Sequence, residues 1–174
     1  MKVLSVGSGG EGLPKEYDGW EQVRLDIDEK HKPDIVADAR MLWSLPPAEY
    51  DAIYCDHCLE HFSEPEVLDV LKGCLHLLQP NGYLEIIVPD LRQVMEAVVL
   101  ASFDIDTILY KVPLGAIRVL DILYGHQAQV KQSPFMTHKS GFTVSYLNKV
   151  LRSVGFTATF KRGNLEFTAK ARRI

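Results

Sequence analysis

Short runs of mostly apolar residues, each ending at or just before a polar residue or a glycine, recur along the first half of the chain. They predict strands at residues 2–6, about 22–26, 34–37, 51–56 and 83–88. Several runs read as continuously apolar, which is typical of strands that are buried on both faces of a parallel sheet. The pattern therefore predicts an α/β protein whose strands meet at one sheet.

A helix is predicted between the fourth and fifth strands. Ser63 is a good N-cap, Pro65 suits the first turn, and Glu66 completes a capping box with Ser63. Apolar residues then recur at the spacing of one helical face, at Val67, Leu68, Leu71, Leu75 and Leu78. Residues 79–82, Gln-Pro-Asn-Gly, predict a turn. The expected architecture is a Rossmann-like doubly wound sheet, mostly parallel.

The second half of the chain reads differently. Residues 94–124 are apolar and predict a helical insertion, broken at Pro113 and closed by Gly125. A polar loop follows at 127–141, and Thr143 caps a helix that runs to Val154. Residues 156–161 and 165–171 flank Arg-Gly-Asn, which predicts an antiparallel hairpin. We expect a single domain over 1–174, with an insertion at about 93–135 that serves as a lid, a substrate element or a dimer face.

Residues 7–12 carry four glycines directly after the first strand, in VLSVGSGGEG. A buried strand that stops at several glycines marks a place where the backbone approaches a ligand closely. In an open parallel sheet, ligands bind beyond the carboxyl ends of the strands, where this loop would lie. The alternative is a glycine-rich turn without a ligand.

Two cofactors compete for this loop. Gly7, Gly9 and Gly12 match the G-x-G-x-x-G spacing of dinucleotide-binding proteins, and Asp26 lies near the place of their ribose-binding acid. That motif needs a helix at the third glycine to face a pyrophosphate. Residues 13–20 include a proline and a glycine and leave little room for one. The loop therefore favours a nucleoside without phosphates, such as S-adenosylmethionine.

Two acids end the second and third predicted strands, Asp26 and Asp38. A carboxylate is costly to bury without donors, so each acid needs a partner. A ribose diol suits Asp26, and the exocyclic amine of adenine suits Asp38. Either acid could instead cap a helix, an alternative that is stronger for Asp38.

Composition is that of an ordinary globular protein. The 174 residues are 47% hydrophobic and 24% charged, enough for one domain with a real core. No apolar run reaches the roughly 18 residues of a membrane span, and the first residue leads straight into a strand, so we expect neither a span nor a signal peptide. Three cysteines suggest no disulfide framework. We expect a cytoplasmic protein.

Charge is distributed unevenly along the chain. Residues 131–174 contain nine Lys or Arg against the single acid Glu166, whereas the first 130 residues contain ten Lys or Arg against twenty-two acids. Compensation within one compact domain is one explanation. The other is a basic lip that receives a phosphorylated or otherwise anionic substrate.

Five stretches in order, VLSVGSGG, LDID, DIVADAR, YDAIYCDHCLEHF and LLQPNGYLEIIVPDLRQV, resemble the motifs of class I S-adenosylmethionine-dependent methyltransferases. The short link between strands one and two, the LEH and the PDL resemble a small group of predicted methyltransferases (type 11-like) found among sugar and cell-surface biosynthesis genes. The resemblance implies the seven-stranded methyltransferase fold with its C-terminal antiparallel hairpin.

The resemblance also implies roles for individual residues. Gly7, Ser8 and Gly9 would lie near the methionine moiety, Asp26 and Ile27 at the ribose and adenine, Asp38 and Ala39 at the adenine edge, and Asp56 beneath the cofactor. Ser5 stands where the family usually has an acid, and Glu11 stands where it has a third glycine, from which Glu11 could meet the cofactor's ammonium.

Two histidines are the predicted catalytic residues. Transfer to a hydroxyl gains from a general base, and histidine has the appropriate pKa range. His57 follows the tip of the fourth strand, beside the expected methyl group, and His138 lies in a loop that would cross above it. A structural hydrogen bond is the alternative for His57, and we expect His61 to be structural.

A metal site is the alternative use of the same cluster. His57, Glu60 and His61 have i, i+3, i+4 spacing, similar to the E-x-x-E-H metal site of small-RNA 2′-O-methyltransferases, with His138 as a fourth candidate. We predict no metal, because LEH also occurs in methyltransferases without one. Cys55 and Cys58 form a C-x-x-C without a second pair, so no zinc knuckle is expected.

Together these features predict an S-adenosylmethionine-dependent methyltransferase acting on oxygen or nitrogen of a small acceptor, either neutral or anionic, such as a sugar or another metabolite. Two alternatives stay open. Ser5 and Glu11 suggest a catalytically silent nucleoside-binding module, and the basic C-terminal quarter suggests an RNA methyltransferase, although little aromatic interleaving supports nucleic acid as a partner. Residues 94–124 would form the face of a homodimer.

Overall fold

The structure is a computed structural model that describes residues 1–7, 9–10, 12–113 and 115–174. Among these residues, seven strands form one sheet in the order β3-β2-β1-β4-β5-β9-β8. Its strands are β1 (Lys2–Val6), β2 (Glu21–Asp26), β3 (Ile35–Val36), β4 (Tyr50–Asp56), β5 (Leu78–Pro89), β8 (Phe156–Arg162) and β9 (Glu166–Arg173). Strand β9 is antiparallel to both neighbours, and the other pairs are parallel. The predicted sheet and its antiparallel hairpin are confirmed.

Helices α1 (Glu64–Leu77) and α5 (Val144–Val154) cover one face of the sheet, over a core that includes Leu4, Ile53 and Leu84. Both helices begin where the sequence predicts. Ser63 N donates to the Glu66 carboxylate at 2.8 Å, and Tyr146 N donates to Thr143 Oγ1 at 3.2 Å.

The other face is covered at β1 and β4 by the segment that follows the glycine loop. Tyr17 is fully buried there against Val3, Ala52 and Tyr54. Among the described residues of 12–20, the only helical turn is a 3₁₀ turn at Lys15–Tyr17. The prediction that no helix fits between β1 and β2 is confirmed for this part of the chain.

Residues 79–82 do not form the predicted turn. They belong to β5, which begins directly after α1 and has an irregularity opposite Tyr50 and Ala52. Gly82 is needed there because a Cβ would lie 3.0 Å from the carbonyl oxygen of Asp51. The Pro-Asn-Gly letters mark this close approach of two strands rather than a reversal of the chain.

The predicted helical insertion is only partly helical. Helices α2 (Leu91–Leu100), α3 (Val119–Tyr124) and α4 (Gln127–Val130) flank a two-stranded antiparallel sheet of β6 (Ile108–Val112) and β7 (Gly115–Arg118). Branched and aromatic residues favour a strand at 108–112, and Gly115 has φ +134°, which a helix does not allow. None of the described helices is long and apolar enough to cross a membrane.

The insertion has a small core of its own and an apolar outer surface. Val94, Val119 and Ile122 are buried together, and Leu109 and Ile117 pack against them. In the described part of 94–124, the large apolar or aromatic side chains that remain exposed are Met95, Val99, Leu100, Phe103, Ile105, Ile108, Tyr110, Val112 and Tyr124. An exposed apolar surface is compatible with the predicted dimer face, which stays a prediction.

Candidate active site

A cavity of about 370 Å³ lies beyond the carboxyl ends of β1, β2 and β4. It collects most of the site residues that the sequence predicts: Gly7, Gly9, Asp26, Ile27, Asp38, Ala39 and His57. Asp56 and His138 are not among the lining residues. Ser8 and Glu11, predicted at the methionine end, lie outside the described residues. The opposite wall comes from the insertion: Gln129, Gln132, Ser133, Phe135, Met136 and Lys139.

The glycine loop approaches β2 and the residue after His57 closely. Gly7 has φ +67°, and a Cβ on it would lie 2.6 Å from the Cys58 sulfur. Gly9 has φ +55°, and a Cβ on it would meet nothing within 4 Å. Gly7 is therefore required by conformation and by space, whereas Gly9 is favoured by its left-handed backbone alone.

Asp26 connects the glycine loop to β2. Its carboxylate is buried and accepts hydrogen bonds from Gly9 N at 3.0 Å and from Asp28 N at 2.9 Å. A carboxylate has about four lone-pair positions, so these two bonds leave acceptors for a ligand. Asp26 thus shapes the loop as well as lining the cavity.

Asp38 caps a 3₁₀ helix at Ala39–Ser44, as the alternative interpretation of this acid expected. Its carboxylate accepts from Arg40 N at 2.9 Å and from the Arg40 guanidinium. The hydrogen bond from the Arg40 side chain lowers the pKa of Asp38. Asp38 therefore stays ionised while it lines the cavity.

Asp56 does not line the cavity, although its carboxylate lies beside His57, which does. Its carboxylate accepts from the Tyr54 hydroxyl at 2.9 Å, and Oδ1 lies 3.8 Å from His57 Nε2. Burial raises the pKa of Asp56. Its predicted place beneath the cofactor stays a prediction.

His57 stands at the end of β4 with φ +45°, a left-handed conformation that is uncommon outside glycine. Nδ1 lies 3.1 Å from Glu60 Oε1, and Nε2 lies 3.3 Å from Glu166 Oε2. Desolvation lowers the pKa of His57, but the hydrogen bonds to Glu166 and Glu60 outweigh it and raise the pKa to about 10. The ring is therefore an imidazolium at neutral pH, which does not support the predicted role of a general base.

Glu60 is the buried partner of this pair. Its side chain is 1% exposed, and Oε2 has no hydrogen-bond partner among the described residues. Burial raises the pKa of Glu60, but the hydrogen bond and the charge of His57 lower it by more than burial raises it. The pKa of Glu60 is therefore lower than that of a free glutamate, and the carboxylate is ionised. The Glu60 carbonyl accepts from Lys139 N at 2.7 Å, which fastens the insertion to this turn.

His61 and His138 form a second pair beside Glu60. Their rings are in edge contact, with centroids 5.0 Å apart. His61 Nδ1 faces the Thr137 carbonyl at 3.3 Å, and His138 Nδ1 faces the Ile122 carbonyl at 2.8 Å. A carbonyl only accepts, so in each ring Nδ1 carries a proton. Burial lowers the pKa of His138, so that ring is neutral.

The metal alternative gains no support from this geometry. Within the described ranges, no three His, Cys, Asp or Glu side chains are placed so that they could hold one ion. His57 turns to Glu60 and Glu166, whereas His61 turns to Thr137 and His138. The i, i+3, i+4 spacing does not gather three ligands because residues 57–61 are not a continuous helix.

Glu166 is the site residue that the sequence analysis missed. It begins β9, and its half-exposed carboxylate contacts His57 from 109 positions away. One feature of the sequence singles Glu166 out. It is the one acidic residue in 131–174, a segment that contains nine Lys or Arg. Of those nine, Lys139 alone lines the described cavity, and the predicted basic lip stays a prediction.

The sequence comparisons agree with this geometry. A family model described as a methyltransferase domain matches residues 1–159. A ubiquinone biosynthesis O-methyltransferase of Xylella fastidiosa (strain 9a5c) is 31% identical over 143 residues, covering 70% of this chain and 54% of the relative. The chain spans about half the length of the curated relatives it matches.

Solved structures share the fold at low identity. A Pyrococcus horikoshii OT3 protein superposes with a TM-score of 0.66 and 18% identity, over 99% of this chain and 82% of that one. A Burkholderia thailandensis 1,6-didemethyltoxoflavin-N1-methyltransferase, solved with S-adenosylhomocysteine, gives a TM-score of 0.60 and 18% identity over 99% and 70%. With the family match and the cavity at the ends of β1, β2 and β4, the chain belongs to the S-adenosylmethionine-dependent methyltransferases.

Proposed function

We propose that this chain transfers the methyl group of S-adenosylmethionine to an oxygen atom of a small acceptor. The observation that carries the proposal is one cavity that reaches from Gly9, Asp26 and Asp38 at one end to His57 and His61 at the other. The first end suits a nucleoside, and the second brings ionisable side chains to the place where a methyl group would leave. The name of the Xylella relative favours oxygen over nitrogen.

The residues present fit this cofactor. Asp26 would hold the ribose hydroxyls with its remaining lone pairs, and Asp38 and Ala39 would meet the adenine edge. Ile27 and Phe135 supply apolar side chains to the same cavity. The bound cofactor would supply a methyl group on a sulfonium, and the chain's own groups would bind it and fix its direction toward the acceptor.

The charges at the acceptor end favour a neutral hydroxyl over an anionic group. Asp56, Glu60 and Glu166 surround the single imidazolium of His57, so the cluster has an excess of negative charge. An anionic acceptor would meet repulsion from these carboxylates. Lys30, Arg40 and Lys139 also line the cavity, but Arg40 is paired with Asp38 and Glu66. A sugar or phenolic hydroxyl is the acceptor class that we infer.

Proton removal then falls to His61. This residue lines the cavity, and because its Nδ1 donates to the Thr137 carbonyl, Nε2 is the nitrogen that would accept the proton. We assign His61 as the proton acceptor, with His138 packed behind it and His57 as a hydrogen-bonding cation. Both predicted catalytic histidines thus stay in the proposal, with roles other than the expected one.

Calorimetry with S-adenosylhomocysteine and with NAD tests the cofactor. We expect saturable binding of S-adenosylhomocysteine and none of NAD, because residues 12–20 after the glycine loop contain only the short 3₁₀ turn Lys15–Tyr17 and offer a pyrophosphate no α-helix N-terminus. Binding of NAD alone would contradict the proposal.

Radiolabelled S-adenosylmethionine with a panel of sugars, phenols and catechols tests the transfer. We expect label on at least one hydroxyl compound, a slower rate in His61→Asn, and a normal rate in the control His126→Gln, because His126 does not line the cavity. Binding of S-adenosylhomocysteine without transfer to any compound of the panel would favour the silent nucleoside-binding module.

A further inference from the structure

We propose that Glu166 is a positioning residue of the transfer site, which holds the His57 ring against the acceptor end of the cavity through Nε2. The inference rests on the proposed function for its role in methyl transfer, but the contact itself can be tested separately. Glu166 acts through His57, which lines the cavity, whereas Glu166 does not.

The His57 ring is held from two opposite sides. Glu60 takes Nδ1 at 3.1 Å from a fully buried position, and Glu166 takes Nε2 at 3.3 Å from a half-exposed one. Because both ring nitrogens are hydrogen-bonded, the orientation of the ring plane is fixed. Rotation about the Cβ–Cγ bond would break both contacts. The buried contact anchors the ring, and the exposed contact sets its orientation.

The backbone on both sides of the contact is strained in the same way. His57 has φ +45° and Leu165, directly before Glu166, has φ +60°. Left-handed conformations of larger residues cost free energy and persist where the surroundings enforce them. Their presence at both ends of a single contact indicates that the fold is built to make it.

The turn before β9 is braced from α2. Gln93 donates to the Gly163 carbonyl at 3.3 Å and accepts from Leu165 N at 3.1 Å. A Cβ on Gly163 would lie 3.0 Å from Glu166 Cγ, so the glycine provides the room in which the Glu166 side chain lies. These contacts place the carboxylate independently of His57.

The three carboxylates around the His57 ring all favour its protonated form. The Asp56 carboxylate lies 3.8 Å from His57 Nε2. Glu60 and Glu166 accept the two N–H hydrogens of the His57 ring, and the neutral His138 ring lies beyond Glu60. Tyr110 of β6, in the insertion, also senses the Glu166 charge. Burial is the larger cause of the raised pKa of the Tyr110 hydroxyl, and the negative charge of Glu166 raises that pKa further. Removing the Glu166 charge leaves the ring with one engaged nitrogen and a weaker preference for its protonated form.

Titration of His57 by ¹⁵N NMR tests the assignment in wild type and Glu166→Gln. We expect the His57 midpoint to fall by about one to three pH units in Glu166→Gln, because a close opposite charge is lost. Glu96→Gln is the matched control, since Glu96 is also half exposed and pairs with Arg92. Its spectrum should titrate like wild type.

The cofactor end of the cavity provides the second measurement. S-adenosylhomocysteine affinity should stay within about twofold of wild type in Glu166→Gln, because Glu166 does not line the cavity. If Glu166→Gln fails to fold, Gly163→Ala replaces it, since the added methyl group crowds the Glu166 side chain and should also lower the His57 midpoint. An unchanged midpoint in the folded variant would overturn the inference. Absence of S-adenosylhomocysteine binding in wild type would instead overturn the proposed function and leave the titration result standing.

Discussion

Asp26 illustrates how one side chain can shape a loop and face a ligand. Its carboxylate holds Gly9 N and Asp28 N, which fixes the two segments on either side of the proposed ribose position. Changing the acid therefore affects both the loop and the ligand. The effect on binding should exceed that of losing one surface hydrogen bond.

We expect Asp26→Asn to weaken S-adenosylhomocysteine binding by about tenfold to a hundredfold, which corresponds to a charge-assisted hydrogen bond of roughly 1.5–3 kcal/mol. Isothermal calorimetry measures it. Asp34→Asn is the control, because Asp34 also accepts from a backbone N–H, that of Arg24, but is exposed. Equal affinities of Asp26→Asn and wild type would remove Asp26 from the binding site.

The charged state of His57 predicts a pH dependence of stability. Its pKa is raised to about 10 in the folded chain, above the roughly 6.5 of a free histidine, so its contribution is complete below about pH 6.5 and is lost as pH rises through about 10. The free energy of unfolding of wild type relative to His57→Gln should therefore decrease between these values. The ring is nearly half exposed, so screening keeps the effect small.

Urea unfolding at about pH 6 and about pH 9.5 measures this difference. His31→Gln, on the rim of the cavity, serves as the control. A difference between wild type and His57→Gln that is the same at both pH values would contradict the raised pKa.

Which site residues could be predicted from sequence depends on how they are placed. Gly7, Asp26 and Asp38 follow directly from strands that apolar patterning reveals, so their positions were predictable. Glu166 meets His57 only because β9 inserts beside β5, a pairing between distant segments that no local pattern encodes. The raised pKa of His57 was missed for the same reason.

At the scale of elements, the insertion is the part that sequence patterning described least well. Apolar residues at 94–124 suggested helices throughout, yet Ile108–Val112 and Gly115–Arg118 form β6 and β7. A short apolar run does not distinguish a strand from a helix, and only the packing of Leu109 and Ile117 on Val94 decides it. The ends of α1 and α5 were predictable because their caps are local.

The closing glycine of α3 holds the cavity wall in place. Gly125 has φ +92° and lies against the carbonyl of Met136, so that a Cβ would be only 2.1 Å from that oxygen. The same segment presents Phe135 and Met136 to the cavity. A side chain at this glycine must displace the wall.

We expect Gly125→Ala to lower the free energy of unfolding by about 1–3 kcal/mol more than Gly19→Ala, because only the former combines a left-handed backbone with a clash. Gly19 is the matched control, since it has φ +79° but open space around its Cβ. Thermal and urea unfolding measure stability, and calorimetry should show weaker S-adenosylhomocysteine binding in Gly125→Ala. Equal stability of the two variants would contradict the contact with Met136.

Over the whole molecule, the basic residues of the last quarter are dispersed. Lys149 and Arg152 lie on α5, Lys161 lies on β8, Lys170 lies on β9, and Lys139 lies at the cavity. The cavity itself combines Lys30, Arg40 and Lys139 with Asp26, Asp28 and Asp38 in its lining. Such a mixed lining does not select for overall charge.

We therefore expect S-adenosylhomocysteine affinity to change by less than about twofold between roughly 0.05 M and 0.5 M NaCl. Salt screens interactions between exposed charges much more strongly at the higher concentration, so a site that selected for charge would respond. Titrations at the two salt concentrations measure it. A much larger loss at high salt would contradict a mixed lining without overall charge preference.

The position of β9 has a consequence for the synthesis of this protein. Strand β9 pairs with β5 on one side and β8 on the other, yet it follows both in sequence. While the ribosome is still adding residues 166–173, the β5 edge stays open on that side, and an open edge invites association between nascent chains. All cavity-lining residues precede β9 in sequence, so a translation product that stops before β9 would contain them without Glu166.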